Sequence, residues 1–265
     1  MTGKHSESVQ FLKRYHPEDF HSGIILGTGL GGLVKDIDIK SEINYSDIPN
    51  FPVSTVESHT GKLIFGNLSG KNIIAMQGRF HYYEGYDMEQ VTYPVHIMNS
   101  FGVRNLIVSN ACGAINPKFG KTDLMIMRSH INLLFDTPLK RMRPVFTNGS
   151  GFYSKRLIKL AEETAIENEI EIQKGVYLPV QGPNLETVSE YRMLRKMGGD
   201  VVGMSSIPEA MAANQLGMEV LGLSIITDVG FPDTLQVAML KHILESASIA
   251  EPKLTLLIRK LVEKI

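Results

Sequence analysis

The residues Gln77-Gly78-Arg79-Phe80-His81-Tyr82-Tyr83-Glu84-Gly85-Tyr86 place a guanidinium, an imidazole and three phenols directly after an apolar run. Arginine offers a planar fork of donors suited to a phosphate or a carboxylate. His81 lies two residues beyond Arg79, so in an extended segment both side chains point to the same side. The chemistry this predicts is the grip of a small oxyanion. The plainer reading is a surface loop in which polar and aromatic residues happen to cluster.

A second segment favours the oxyanion. Residues 22–26 form a short apolar run, and Gly27-Thr28-Gly29-Leu30-Gly31-Gly32 follows it at once. Glycines at a strand end let backbone approach a ligand closely, and their amides, with the Thr28 hydroxyl, can donate to phosphate. The string also satisfies the G-x-G-x-x-G pattern of dinucleotide-binding folds. That fingerprint requires a crossover helix and then a second strand ending in an acid. Residues 36–52 are instead polar and turn-rich with two prolines, so an NAD-dependent enzyme is a poor fit.

Further strings carry residues of the same kind: Phe51-Pro52-Val53-Ser54-Thr55-Val56-Glu57-Ser58-His59-Thr60-Gly61, Asn110-Ala111-Cys112-Gly113-Ala114-Ile115-Asn116-Pro117, Gly182-Pro183-Asn184-Leu185-Glu186-Thr187, and Val202-Gly203-Met204-Ser205-Ser206-Ile207-Pro208-Glu209. Taken in order with the two segments above, they resemble the trimeric, inosine- and guanosine-cleaving class of purine nucleoside phosphorylases. The resemblance spans residues 20–230, and the C-terminal tail matches poorly. It implies phosphorolysis of purine (deoxy)ribonucleosides to a free base and (deoxy)ribose 1-phosphate, in purine salvage. Inorganic phosphate would be a co-substrate, with no cofactor and no metal, and the assembly a homotrimer.

Site roles follow from the resemblance. Phosphate falls to Thr28, His59, Arg79, His81, the Ala111 amide and Ser205; related enzymes carry serine at the Thr28 position, and threonine keeps the hydroxyl. The ribose falls to Tyr83, bonding a hydroxyl, and to Met204, packing beneath the ring. A family histidine that meets the 5′-hydroxyl has no counterpart here. Leu240 aligns with it and His242, two residues on, is carried as the candidate, which leaves 5′ recognition open. The purine falls to Glu186, accepting N1–H of a 6-oxopurine, with Leu185 in place of the usual aromatic. Phe135 is the nearest match to an aromatic that closes the pocket of a neighbouring subunit. His81, Glu186 and Asp228 form the catalytic set.

Asp228 departs from the asparagine of the inosine- and guanosine-cleaving members. An ionised Asp can only accept, whereas a protonated one could donate to N7 as a general acid. That needs a raised pKa, which burial and the nearby Glu186 would favour. Glu186 thus argues for inosine and guanosine, and Asp228 for acceptance of adenosine. The alternatives are an adenosine- or methylthioadenosine-preferring phosphorylase, a nucleosidase using water, or a non-catalytic purine- or phosphate-binding relative.

The elements that must position these groups alternate. Strands are predicted at residues 23–26, 62–66, 72–77, 106–110, 124–127, 175–180 and 220–227, several almost wholly apolar, as buried strands are. Helices are predicted at 87–100, 154–168, 186–197, 208–216 and over most of the tail after Thr234. Ser206, three residues before Glu209, reads as a capping box. The expected fold is α/β, a single domain over residues 1–265: a sandwich with a central mixed, twisted sheet flanked by helices. A length of 265 residues supports one large core, and a net charge of −1 gives no pull toward nucleic acid or a membrane surface. The single cysteine, Cys112, fits a reducing cytoplasm, and the N-terminus lacks the apolar core of a signal peptide. No metal-ligand spacing such as H-x-x-x-H or C-x-x-C is present.

Overall fold

A computed structural model describes residues 3–16, 18–28, 30–55, 60–140, 151–233 and 239–265. Among the described residues nine strands follow in chain order: β1 Ser22–Leu26, β2 Asp38–Asn44, β3 Lys62–Leu68, β4 Lys71–Gln77, β5 Asn105–Ala114, β6 Leu124–His130, β7 Ile172–Pro179, β8 Val201–Gly203 and β9 Glu219–Val229. The helices among the described residues are α1 Gly3–Lys13, α2 Met88–Ser100, α3 Lys155–Glu167, α4 Val188–Lys196, α5 Ile207–Gln215 and α6 Leu240–Lys264.

The strands form one mixed sheet in the order β2-β3-β4-β1-β5-β8-β7-β6-β9, and β9 returns to pair with β5. That last pairing closes β5, β8, β7, β6 and β9 into a ring, so one end of the sheet is a barrel and the other an open wing. β1 runs parallel to both β4 and β5, and β9 runs parallel to β5. Their C-terminal ends therefore point the same way, and the marked segments after β1 and β4 and at the ends of β5 and β9 are brought to one edge, where open α/β sheets bind ligands.

Alternation along the strands sorts the core into two layers. Ile25 of β1 joins Phe65, Met76 and Val108 with Val95 of α2 and Ala212 of α5. Ile24 and Leu26 face the other way, with Ile64, Ile107 and Leu223, onto Leu157 of α3 and Leu257 of α6. Successive strand side chains point to opposite faces, and helices cover both, which explains the nearly continuous apolar runs.

Every predicted strand is present, most of them longer than expected. The apolar core of each run was visible, but the polar ends are recruited by pairing. Two strands and a helix were not predicted. β2 is an edge strand paired antiparallel to β3 and mostly exposed, so no hydrophobic period marks it. β8 has three residues, too short for any pattern. α1 is mostly polar and buries only His5, Ser8 and Leu12.

Helix starts follow capping chemistry. Asp87 accepts from the Gln90 amide at 2.8 Å to open α2, and Ser154 accepts from that of Leu157 to open α3. α4 begins at Val188, after a Thr187–Glu190 capping box, so Glu186 precedes the helix instead of starting it. The predicted Ser206–Glu209 box does not form: Ser206 makes no side-chain cap bond to α5. Both side chains are engaged elsewhere, in the site.

Candidate active site

A cavity of about 230 Å³ opens at the strand ends. One set of its lining residues comes from Gly27 and Thr28 after β1, Arg79, His81 and Tyr83 after β4, and Asn110 to Gly113 of β5. Another comes from Leu185 and Glu186 before α4, Gly203 to Ser205 at the end of β8, Thr227 and Asp228 of β9, and Leu240 and Ile243 of α6. Segments far apart in sequence thus meet in one hollow.

Arg79 is 1% exposed although it lines the cavity. Its Nε donates to Glu209 Oε1 at 2.9 Å, and Glu209 is itself 2% exposed. Its Nη1 donates to the Ser109 carbonyl at 2.8 Å, to Ser206 Oγ at 2.8 Å and to Ser205 Oγ at 3.1 Å. A buried guanidinium is tolerable only when paired and hydrogen-bonded. A hydroxyl oxygen that accepts from Arg79 keeps its own hydrogen for another acceptor, which suits Ser205 to donate to an anion in the cavity. The glycine string serves close approach: a Cβ on Gly27 would stand 2.8 Å from the Ser109 carbonyl and 3.6 Å from Arg79 Nη1.

His81 is fixed by its own turn. Its backbone N–H donates to Glu84 Oε1 at 2.7 Å, and its Nδ1 lies 2.9 Å from the same oxygen. The ring stacks on Tyr83, with centroids 4.7 Å apart. Burial would raise the Glu84 acid, but hydrogen bonds from His81 and from both donors of Thr55 outweigh it and hold the pKa at about 2. A carboxylate on Nδ1 assigns the ring proton to that nitrogen and orients Nε2. Burial, and then the Glu84 charge, push the Tyr83 phenol up to about 12, so it stays a neutral donor. Tyr83 and Met204 both abut Gly182, which joins the ribose candidates to the 182–187 string. Tyr86 instead donates to the Val53 carbonyl and packs edge-on to Phe80.

The carboxylates sit in the other part of the cavity. Burial is the main cause that lifts the Asp228 pKa, against a hydrogen bond from Thr227 and the charge of Lys121. Burial also lifts Glu186, opposed by a bond from the Tyr191 hydroxyl and reinforced by the Asp228 charge. The expected upward shift of Asp228 is therefore found, with desolvation as its source. A β-bulge aims this residue: Cys112 pairs with Ile226 and Gly113 with Asp228, leaving Thr227 as the extra residue in β9. Thr227 Oγ1 lies 2.9 Å from Asp228 Oδ1 and 3.2 Å from the Cys112 carbonyl. Gly113 makes room, since a Cβ there would stand 2.8 Å from Asp228 Oδ2.

The structure therefore brings together Thr28, Arg79, His81, Tyr83, Ala111, Leu185, Glu186, Met204, Ser205 and Asp228. His59 lies outside the described residues. His242 is exposed and does not line the cavity; Leu240 and Ile243 of the same helix do, so the α6 wall is apolar where an imidazole was expected. The helical period turns His242 away while Leu240 and Ile243 share a face. Phe135 is 87% exposed and borders an adjoining hollow of about 410 Å³ with Leu133, Met193, Met197 and Glu186. Sequence reasoning passed over Glu84, Thr227 and Tyr191, and read Ser206 and Glu209 as a helix cap. The spacing of Glu84 from His81 was an available signal; the pairing of Glu209 with Arg79 was not, because 130 residues separate them.

Comparison with known proteins bears on the same segments. A model of the phosphorylase superfamily matches residues 22–263. Purine nucleoside phosphorylase 1 of Geobacillus stearothermophilus is 48% identical over 228 residues, covering 84% of this chain and 83% of the relative. Purine nucleoside phosphorylase of Bos taurus is 38% identical, covering 98% of this chain and 94% of the relative. The solved structure of purine nucleoside phosphorylase isoform 2 from Schistosoma mansoni, in complex with cytosine and ribose-1-phosphate, superposes with a TM-score of 0.92 at 33% identity. It covers 100% of this chain and 97% of that one.

Proposed function

Because the chain belongs to the phosphorylase superfamily, and to the purine nucleoside phosphorylases within it, we propose that its cavity performs phosphorolysis of inosine and guanosine. The observation that carries this reading is the joint presence, in one cavity, of an anion-binding set (Thr28, Arg79, His81, Ser205) and two carboxyl groups of raised pKa (Glu186, Asp228).

Arg79, His81, Thr28, Ser205 and the Ala111 amide hold phosphate, with His59 completing the set on family grounds. Tyr83 and Met204 hold the ribose. Phosphate is the nucleophile: its oxygen forms a bond to C1′ as the glycosidic bond breaks, and the electron pair leaves on the purine. Holding phosphate and sugar in line supplies the entropic part of the acceleration, and the fixed donors supply the electrostatic part. Glu186 accepts N1–H of the 6-oxopurine. Burial favours the acid form of Asp228, and in that form it donates to N7 as negative charge develops there. The products are a free purine and ribose 1-phosphate.

A carboxyl in place of a carboxamide at 228 also supports a second reading, that adenosine is accepted, since an ionised Asp228 could receive a 6-amino hydrogen. Phosphate is the co-substrate and no resident cofactor is proposed. Among the described residues no group of His, Cys, Asp and Glu is placed to hold a metal ion, and no helix is long and apolar enough to cross a membrane. We place the chain as a single domain in a cytoplasmic homotrimer, with Phe135 and its adjoining apolar hollow directed at a neighbouring copy.

Release of free base from inosine, guanosine, adenosine and methylthioadenosine, each with and without phosphate, tests the proposal. Phosphate-dependent cleavage of inosine and guanosine is expected. Cleavage that ignores phosphate would make the protein a nucleosidase, and activity restricted to the 6-amino substrates would make Asp228 the dominant selector.

A further inference from the structure

Ser206 is 0% exposed and does not line the cavity, so it cannot touch a bound ligand. Its backbone nevertheless has φ 71° and ψ −34°, a left-handed conformation unusual for serine. The Ile207 amide bonds the Ser205 carbonyl at 2.9 Å, closing a tight turn centred on Ser206. Such three-residue turns with positive φ are rare and strained, and strain of this kind gathers at functional sites. A helix cap would account for a serine here, but Ser206 does not cap α5.

The turn places its hydroxyl oxygen between two donors. Ser206 Oγ accepts from Arg79 Nη1 at 2.8 Å and from Asn110 Nδ2 at 2.8 Å. Both of those residues line the cavity. The same Nη1 donates to Ser205 Oγ, the hydroxyl assigned to phosphate. Glu209 fixes the Nε edge of the guanidinium, and Ser206 with the Ser109 carbonyl fixes the Nη1 edge. Fixed at both edges, the guanidinium cannot swing, and the Ser205 hydroxyl is oriented with it. Chemistry of this kind depends on such support, because a donor loosely held loses much of its effect on a bound anion.

We propose that Ser206 is a positioning residue for the phosphate half of the site, acting through Arg79, Asn110 and Ser205; this rests on the phosphorolysis reading above. A purely structural serine in a strained turn would make glycine there neutral or beneficial, because glycine adopts positive φ without penalty. A positioning serine would make the same substitution costly to phosphate use while sparing the fold.

The test is steady-state kinetics of Ser206→Gly, with phosphate and nucleoside varied separately, alongside thermal melting. Loss of one hydrogen bond to a charged group predicts a rise in KM for phosphate of about tenfold or more, with the nucleoside KM within about twofold. The melting temperature is expected to change little, because relief of the positive φ offsets the loss of an acceptor for two buried donors. An unchanged phosphate KM would overturn the proposal, as would parallel rises in both KM values with a lowered melting temperature. Ser206→Ala, which removes the hydroxyl and keeps a Cβ, provides the second variant and should show the same phosphate-selective effect. Arg79→Gln separates the two levels. If it too leaves the phosphate KM unchanged, the assignment of Arg79 fails; if it raises that KM while the Ser206 variants do not, only the role of Ser206 fails.

Discussion

Replacement of Asp228 by asparagine tests the base-recognition chemistry most directly. Thr227 Oγ1 holds Oδ1, and Oδ2 lies beside Gly113 at the cavity wall, so on the proposed reading Oδ2 is the atom that meets the purine. Burial raises the pKa, and the proton it retains can be donated to N7 of a leaving base. An asparagine amide puts a permanent N–H at that place and removes both the proton and the acceptor that a 6-amino group could use. A hydrogen bond to a charged group contributes about 1.5–3 kcal/mol, so the adenosine-to-inosine ratio of kcat/KM should fall by about ten- to a hundredfold. The pH dependence gives a second readout. In the wild type, inosine cleavage should decline as pH rises through the raised Asp228 pKa, because the ionised carboxylate can no longer donate. The declining limb should vanish in Asp228→Asn. The assay is base release from each nucleoside at saturating phosphate across pH. A substrate ratio unchanged by the substitution, with the same pH limb in both proteins, would refute the reasoning.

Two further substitutions probe the supports. Glu84 has a folded pKa of about 2 against an ordinary 4.5, so its contribution to stability is complete above pH 4.5 and is lost as pH falls toward 2. Glu84→Gln should therefore be less stable than the wild type at pH 7, by on the order of 2 kcal/mol, with the gap closing in acid. Urea unfolding at several pH values measures it, and a gap independent of pH would count against the linkage. Gly113→Ala would bring a methyl to 2.8 Å from Asp228 Oδ2. The carboxylate is the end of a side chain and can move, so the fold should survive while kcat falls by about tenfold or more, as misplaced catalytic groups do. Full activity in that variant would show that the position of Asp228 is not critical.

The chemical inventory and the layered architecture are legible in the residues alone. Guanidinium, imidazole, phenol and carboxyl groups stand in short strings, and those strings follow strands whose apolar runs are legible because both faces of the sheet are buried. Burial of alternate residues on opposite layers is a local property of strands, and it shows in composition. The starts of α2 and α3 are likewise local: the helices expected from residues 87 and 154 begin at Met88 and Lys155, one residue after the caps Asp87 and Ser154.

Which groups touch is settled only when the chain is folded. The pairing of Arg79 with Glu209 and the bond of Ser206 to Asn110 join segments that no spacing rule relates. A serine followed three residues later by a glutamate is a helix cap in local terms; only the fold, by bringing the β8–α5 junction beside the segment after β4, turns the pair toward the Arg79 guanidinium. The bulge in β9 that aims Asp228, the edge strand β2 and the outward turn of His242 have the same origin. Strand register and helix rotation are set by which faces find partners, and that is a property of the assembled molecule and not of any one segment.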